Sequence, residues 1–334
     1  MKKYPVIIIF LITMLLVCGE TVMAKERLGK PQGVLANGVE DRVVISWEPV
    51  KKADGYEVFE KAEGEAFDIS HGVPFTRPIK IYAGDYDDLA DAAIVVITAG
   101  AAQKPGETRL DLVHKNINIF KSIIPEIVKR DFQGILLIVA NPVDILTYTA
   151  LKLSGYAPNR VIGSGTVLDT ARLKERLGEH LEVDSRSVHA FIVGEHGDSE
   201  IAAWSSANVS GIPLHDFCEM RGHHDHEGAT SEIAEKVKNS AYEIIQRKGA
   251  TYYGIAMSVK RICEAIIRDE RSILQISTMM DGEYGIKDVV LSMPSIVGAE
   301  GFISKVPISL SEDEIKALHK SAETLKSVLE EALE

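Results

Sequence analysis

Cysteine is scarce. The chain holds three in 334 residues, Cys18, Cys218 and Cys263. That excludes a disulfide framework, and no spacing among them resembles a zinc site. Positive charge is also short: 37 Lys plus Arg stand against 49 Asp plus Glu, a net charge of −12. Sequence-independent nucleic-acid binding needs clustered Lys and Arg, so such an acidic chain is a poor non-specific binder and no nucleic-acid partner is expected. Internal repeats and low-complexity segments are missing. So is any G-x-G-x-x-G turn, although the chain has 26 glycines. What is present is 46% hydrophobic and 26% charged residues, enough for a sizeable core. The length suits about two domains of roughly 150 residues each.

The first segment differs from the rest. Residues 1–24 read MKKYPVIIIFLITMLLVCGETVMA, with Lys2 and Lys3 before an apolar run from Val6 to Val17. Val22-Met23-Ala24 offers small residues where a signal peptidase cuts, so the pattern predicts an export signal over 1–24. The run is short of the ~20 apolar residues of a membrane span, and a buried strand or helix is the alternative. Membrane contact is thus expected only through export of this segment. Residues 25–60 alternate at Val43, Ile45 and Trp47, a half-buried strand. Tyr56, Val58 and Phe59 suggest a second strand. The stretch resembles the opening strands of a fibronectin type III domain.

From Lys61 the texture changes to alternating strands and helices. Buried strands are predicted at Ala92–Thr98, Ile135–Val139 and Val188–Val193, and helices at Glu107–Arg130 and Asp169–Leu181. Such alternation predicts a parallel α/β sheet. Two long helices (Thr230–Lys248, Tyr252–Asp269), strands near Ile273–Thr278 and Val289–Met293, and a final helix follow. That last helix opens on the capping box Ser311–Glu314 and carries Ile315, Leu318, Ala322, Leu325 and Leu329 on one face.

Ligands of open α/β sheets bind beyond the carboxyl ends of the strands. Three polar loops lie there: Gly100–Arg109, Asn141–Asp144 and Glu195–Asp198. His196, flanked by Gly194 and Gly197, suits proton transfer near neutrality; the alternative is an ordinary loop histidine. Asp169 and Arg172 share a helix face. The aspartate would orient the imidazole, and the arginine would grip a carboxylate with paired hydrogen bonds. A surface ion pair is the plainer reading. Arg109 sits in a loop that can close over a ligand. His223–Glu227 could bind a transition metal, but a solvated loop is favoured and no metal is expected.

The motifs AGAAQKPGETRLDLV (99–113), ANPVDILTY (140–148), GSGTVLDTARL (163–173), GEHGDSE (194–200) and KGATYYGIA (248–256) resemble those of bacterial L-lactate dehydrogenases, within the lactate/malate dehydrogenase superfamily. The resemblance runs from about Lys61 to the C-terminus. It implies a Rossmann-like parallel sheet over 61–162, its first strand–helix–strand unit missing or replaced, followed by an α+β substrate domain over 163–334. It also implies NAD as cofactor, pyruvate and lactate as substrates, and a homotetramer. By resemblance His196 exchanges the proton, Asp169 is its partner and Arg109 is the lid arginine. Arg172, Asn141, Thr251 and Gln103 line the substrate pocket. A neutral Gln103 favours pyruvate's methyl group, whereas malate dehydrogenases place an arginine there. Malate or another 2-hydroxy acid is the second reading, and a catalytically inactive exported binding or structural protein the third. Tyr86, Gly100, Ala101, Val139, Asn141 and Ser164 match the cofactor groove. Lys174 and His189 match a fructose 1,6-bisphosphate site, with lysine in place of the family's arginine.

The family's pyrophosphate-binding unit should precede Lys61, and the export signal and fibronectin-like strands occupy its place. Cofactor affinity is therefore expected to be reduced. The sheet is expected to lack its central strands unless Val43–Trp47 and Tyr56–Phe59 substitute for them. The dehydrogenase body implies a cytoplasmic location, and the N-terminus implies export, which is slightly favoured.

Overall fold

The computed structural model describes residues 6–8, 35–39, 42–46, 56–76, 78–101 and 108–333. The chain divides into two compact units, residues 1–141 with 149–161, and residues 142–148 with 162–334.

The first unit contains β1 (Val6–Ile8), β2 (Leu35–Val39), β3 (Arg42–Ser46), α1 (Tyr56–Ser70), β4 (Lys80–Ala83), β5 (Ile94–Ile97), α2 (Arg109–Val128) and β6 (Ile135–Ile138). Strands β5 and β6 pair in parallel, and every residue of both is buried. Unbroken apolar runs of this kind belong to strands covered on both faces. Glycine is required just before β6. A Cβ on Gly134 would stand 2.3 Å from the Ala93 carbonyl oxygen. Helix α2 starts at a reciprocal cap: Thr108 Oγ1 accepts the Asp111 N–H, and Asp111 accepts the Thr108 N–H, both at 3.1 Å. Its predicted apolar face is buried, from Val113 through Ile117, Phe120 and Ile124 to Ile127.

The N-terminal segments depart from expectation. Val6–Ile8 pairs in parallel with β5, Val6 opposite Ile94 and Ile8 opposite Val96. Three residues of the apolar run thus form a strand; the rest of the run and of the expected export signal lie outside the described residues. Strands β2 and β3 form an antiparallel hairpin, but β3 then pairs in parallel with β4, Val43 opposite Ile81. Parallel pairing is foreign to a fibronectin-like sandwich, whose sheets are antiparallel. Tyr56–Phe59 is not a second strand; it opens α1. The spacing explains the correction. Tyr56, Phe59, Ala62 and Ala66 recur at helical intervals, and Ala66 is buried. Of the two proposed substitute strands, only the one around Val43 is in a sheet.

Helix α3 (Val143–Ser154) begins in the second unit and ends in the first. After it come β7 (Val161–Gly163), α4 (Val167–Leu181), β8 (Val188–His189), β9 (Ile192–Val193), β10 (Ile201–Ala202), β11 (Asn208–Val209), β12 (Ile212–Pro213), α5 (Leu214–Met220), α6 (His226–Lys248), α7 (Tyr253–Ile267), β13 (Ser272–Asp281), β14 (Lys287–Gly298), β15 (Gly301–Lys305) and α8 (Glu312–Leu333). The single strand predicted over Val188–Val193 is two: β8 pairs with β11, and β9 with β10. Strands β13, β14 and β15 form an antiparallel meander. Leu173, Leu177, Leu181, Val188, Ile192 and Val237 lie in one buried cluster. The α8 cap forms as predicted: Ser311 N–H donates to Glu314 at 2.7 Å, and Glu314 N–H to Ser311 Oγ at 3.2 Å. Among the described residues, no helix is long and apolar enough to cross a membrane.

Candidate active site

Two predicted residues meet in the second unit. His196 Nδ1 lies 2.6 Å from Asp169 Oδ2. Asp169, in the first turn of α4, is 2% exposed, and the His196 side chain is 25% exposed. With Nδ1 turned to the carboxylate, Nε2 is the nitrogen left for proton exchange. Arg172 Nη1 donates to the other Asp169 oxygen at 2.8 Å. This is not the surface pair of the plainer reading, since both side chains are largely buried. One guanidinium nitrogen is so engaged, and the remaining N–H groups suit an anion.

The loop carrying His196 is fastened along its backbone. Gly194 exchanges both main-chain hydrogen bonds with Ser292 at 2.9 Å. Its φ of +91° is a conformation glycine adopts at no steric cost. Glu195 N–H donates to Ser321 Oγ at 3.0 Å, and Ser199 Oγ lies 2.9 Å from the same hydroxyl. His196 N–H donates to Asp144 Oδ2 at 2.7 Å, and Ser277 Oγ donates to Asp144 Oδ1 at 2.5 Å. Asp144, Ser277 and Ser321 are all buried.

The charges are mutually supporting. Burial alone would lower the imidazole pKa, but Asp169 outweighs it and raises His196 to about 9. Burial would raise the Asp169 carboxyl, yet His196 and Arg172 hold it below its ordinary value. Burial dominates at Asp144, which rises to about 6 despite its hydrogen bonds from Ser277 and His196.

Several predicted residues lie elsewhere in this unit. Ser164 is buried, and Thr251 and Lys174 are half-buried. Burial lowers the Lys174 pKa. His189, on β8, is exposed. The His223–Glu227 stretch leads into α6, where Asp225 accepts the Gly228 N–H as N-cap at 3.1 Å. His224 pairs with Glu219 at 3.1 Å.

In the first unit, Gly100, Ala101, Val139 and Asn141 follow β5 and β6. Fully buried Asn116 ties the two loops together. Its Oδ1 accepts the Ala101 N–H and its Nδ2 donates to the Asn141 carbonyl, both at 2.7 Å. Tyr86 is buried, with the Arg130 guanidinium 5.0 Å from its ring centroid. Gln103 lies outside the described residues, as does the side chain of Arg109, which begins α2.

Sequence reasoning missed Asp144, Ser277, Ser321 and Asn116. Asp144 stood inside a quoted motif, and an acidic residue in so apolar a helix start was a usable signal. The two serines and Asn116 carried none, because their partners are distant in sequence.

A parallel sheet of Rossmann type, followed by a mixed α/β unit bearing a buried Asp–His couple beside an arginine, is a dehydrogenase architecture. The chain belongs to the lactate/malate dehydrogenase family. Residues 50–163 match that family's NAD binding domain, and residues 166–334 its alpha/beta C-terminal domain. The match begins at residue 50 rather than near Lys61. The L-lactate dehydrogenase of Acetivibrio thermocellus is 55% identical over 269 residues, 80% of this chain and 85% of that protein. L-lactate dehydrogenase 1 of Clostridium acetobutylicum is 54% identical over 271 residues, 81% and 87% of the two chains. The crystal structure of the minor L-lactate dehydrogenase from Enterococcus mundtii in its ligands-bound form superposes with a TM-score of 0.79 at 45% identity, covering 81% of this chain and 87% of that one. A lactate dehydrogenase from a deep-sea metagenome library, MGS-M5, gives 0.81 at 45% identity over 83% and 89%.

The cofactor fits one side of the site better than the other. The loops after β5 and β6 approach so closely that a Cβ on Gly100 would stand 3.3 Å from the Ala140 methyl. A pyrophosphate is held by a glycine turn that lets it reach backbone amides, and the sequence has no G-x-G-x-x-G.

Proposed function

We propose that this chain acts as an L-lactate dehydrogenase, interconverting pyruvate and lactate, with weakened cofactor binding. The observation that carries the proposal is the 2.6 Å contact of His196 with Asp169, with Arg172 on the same carboxylate.

Bound NAD(H) would supply the hydride, and Gly100, Ala101, Val139, Asn141 and Ser164 would hold its nicotinamide end. The protein's share is charge and position. Arg172 would bind the substrate carboxylate through the N–H groups not given to Asp169. His196, protonated below about pH 9, would donate from Nε2 to the carbonyl oxygen as pyruvate is reduced. It would take the proton back from lactate in reverse. Asp169 would stabilise the imidazolium and fix the ring's orientation without itself being protonated. Arg109 would polarise the carbonyl from the closing loop. Thr251 and Gln103 would complete the pocket, Gln103 selecting a methyl over a second carboxylate. Lys174 with His189 would offer a phosphate site weaker than an arginine's. By family likeness the working form would be a tetramer.

Residues 1–60 would replace the pyrophosphate-binding unit of a dehydrogenase over 61–162 and 163–334. Their Lys2-Lys3 and apolar run support export. Fractionating a tagged chain tests this, and a full-length cytoplasmic product would sink the signal-peptide reading. The missing glycine turn favours a second reading, an exported protein without turnover.

An NADH titration of the purified chain, with and without oxamate as a pyruvate mimic, decides between them. Binding strengthened by oxamate, followed by pyruvate turnover, supports the enzyme. No binding at millimolar NADH by a folded chain supports the second reading.

A further inference from the structure

Glu200 has no part in the mechanism above, yet it stands among the groups that do. Its N–H closes the turn onto the Gly197 carbonyl at 3.2 Å. One side-chain nitrogen or oxygen from each of Asp169, His196 and Glu200 lies within 4.8 Å of the others. The charges acting on Glu200 come from three elements: Asp169 and Arg172 on α4, His196 on the loop, and Lys238 on α6. Lys238 is itself held by the Asp198 carbonyl.

We propose that Glu200 gates substrate affinity: its ionised carboxylate competes with the carboxylate of a 2-oxo acid for Arg172, and its protonation opens the site to that anion. This rests on the lactate dehydrogenase reading. Two carboxylates, Asp169 and Glu200, already lie within 4.8 Å of one another, the first of them paired with largely buried Arg172 at 2.8 Å, and a bound substrate brings a third. Asp169 is committed, through one oxygen to His196 and the other to Arg172. Glu200 is therefore the carboxylate that can give up its charge. Its environment favours that: burial and then Asp169 push its pKa to about 8, against the opposing pull of His196, Arg172 and Lys238. As pH rises through that value Glu200 ionises, and substrate affinity falls while the proton donor is still charged.

The test is the pyruvate KM of the full chain at saturating NADH from about pH 7 to about pH 9, beside that of Glu200→Gln, with Glu200→Asp as the conservative variant. A site fully gated by one group loses about tenfold in affinity for each pH unit above its pKa. The wild-type KM is expected to rise several-fold across this range, and that of Glu200→Gln to stay flat until His196 itself loses its proton. Glu200→Asp should restore the dependence, and kcat should change less than KM. An NMR titration of the His196 imidazole, which needs no cofactor, gives a second readout. Its pKa should fall in Glu200→Gln, because an anionic neighbour is gone. Identical KM profiles in an active wild type and Glu200→Gln overturn the proposal and leave the reaction standing. So does an unmoved His196 titration. A wild type without pyruvate turnover overturns both readings.

Discussion

Asp144 holds His196 by its backbone. The buried carboxylate accepts the His196 N–H at 2.7 Å with one oxygen and the Ser277 hydroxyl at 2.5 Å with the other. Asp169 meanwhile holds the ring at 2.6 Å. Two carboxylates therefore fix one histidine, one through the main chain and one through the imidazole.

Replacing Asp144 with alanine leaves a buried N–H and a buried hydroxyl without that acceptor. The expected cost is about 1–3 kcal/mol of stability. Turnover should drop as well, because the histidine loses its main-chain anchor. Urea unfolding of the variant beside wild type measures the first, and pyruvate reduction the second. An unchanged midpoint would show that the loop repacks without the carboxylate.

Asp169→Asn keeps the shape and removes the charge. The His196 pKa, now about 9 against an ordinary 6.5, should fall toward or below its ordinary value. Turnover should drop by roughly 10⁴-fold, as when the partner of a catalytic histidine is neutralised elsewhere. The sign of the pH effect follows from the raised folded pKa. The pair's contribution to stability is complete below about pH 6.5 and is lost as pH rises through about 9. Thermal melts of the wild type across that interval should decline, and those of Asp169→Asn should decline less.

The pyrophosphate side predicts a measurable deficit. With no G-x-G-x-x-G turn in the sequence, NADH affinity should be at least about tenfold below that of an intact relative, since several backbone-to-phosphate hydrogen bonds are lost. Fluorescence titration of both proteins under one buffer measures the ratio. Equal affinities would show that the N-terminal segments rebuild the site.

Gln103→Arg should shift preference from pyruvate toward oxaloacetate. A guanidinium at that position pairs with a second carboxylate and meets only a methyl group in pyruvate. The ratio of kcat/KM for the two substrates should move by at least tenfold. A ratio that stays put would place Gln103 away from the substrate.

Much of the architecture is legible from residue order. The apolar runs at Ile94–Ile97 and Ile135–Ile138, the stripe Val113–Ile127 and the Ser311–Glu314 cap are local patterns, and local patterns survive folding. The Tyr56–Phe59 segment misled because four residues with three apolar side chains fit a strand or a helix equally well; its longer continuation to Ala66 decides. Val188–Val193 misled for a related reason. One apolar run can be shared between two partners, here β11 and β10.

The sequence by itself singled out His196, Asp169 and Arg172, which the structure brings together. A glycine-flanked histidine and an Asp–Arg pair three residues apart on a helix allow proton transfer and anion binding by residue type and spacing, and the motifs shared with L-lactate dehydrogenases point to those roles over a loop histidine and a surface ion pair. Only the tertiary structure decided how they are held. Ser277 and Asp144 are 133 positions apart, and Ser321 and Glu195 are 126; no local rule links them. Folding brings them together because a buried polar group must find a partner, and the nearest one in space need not be near in the chain. The apolar run at Val6–Ile8 makes the same point. Its composition suits an export signal and a buried strand alike, and its pairing with β5 is a fact about neighbours that its own residues do not contain.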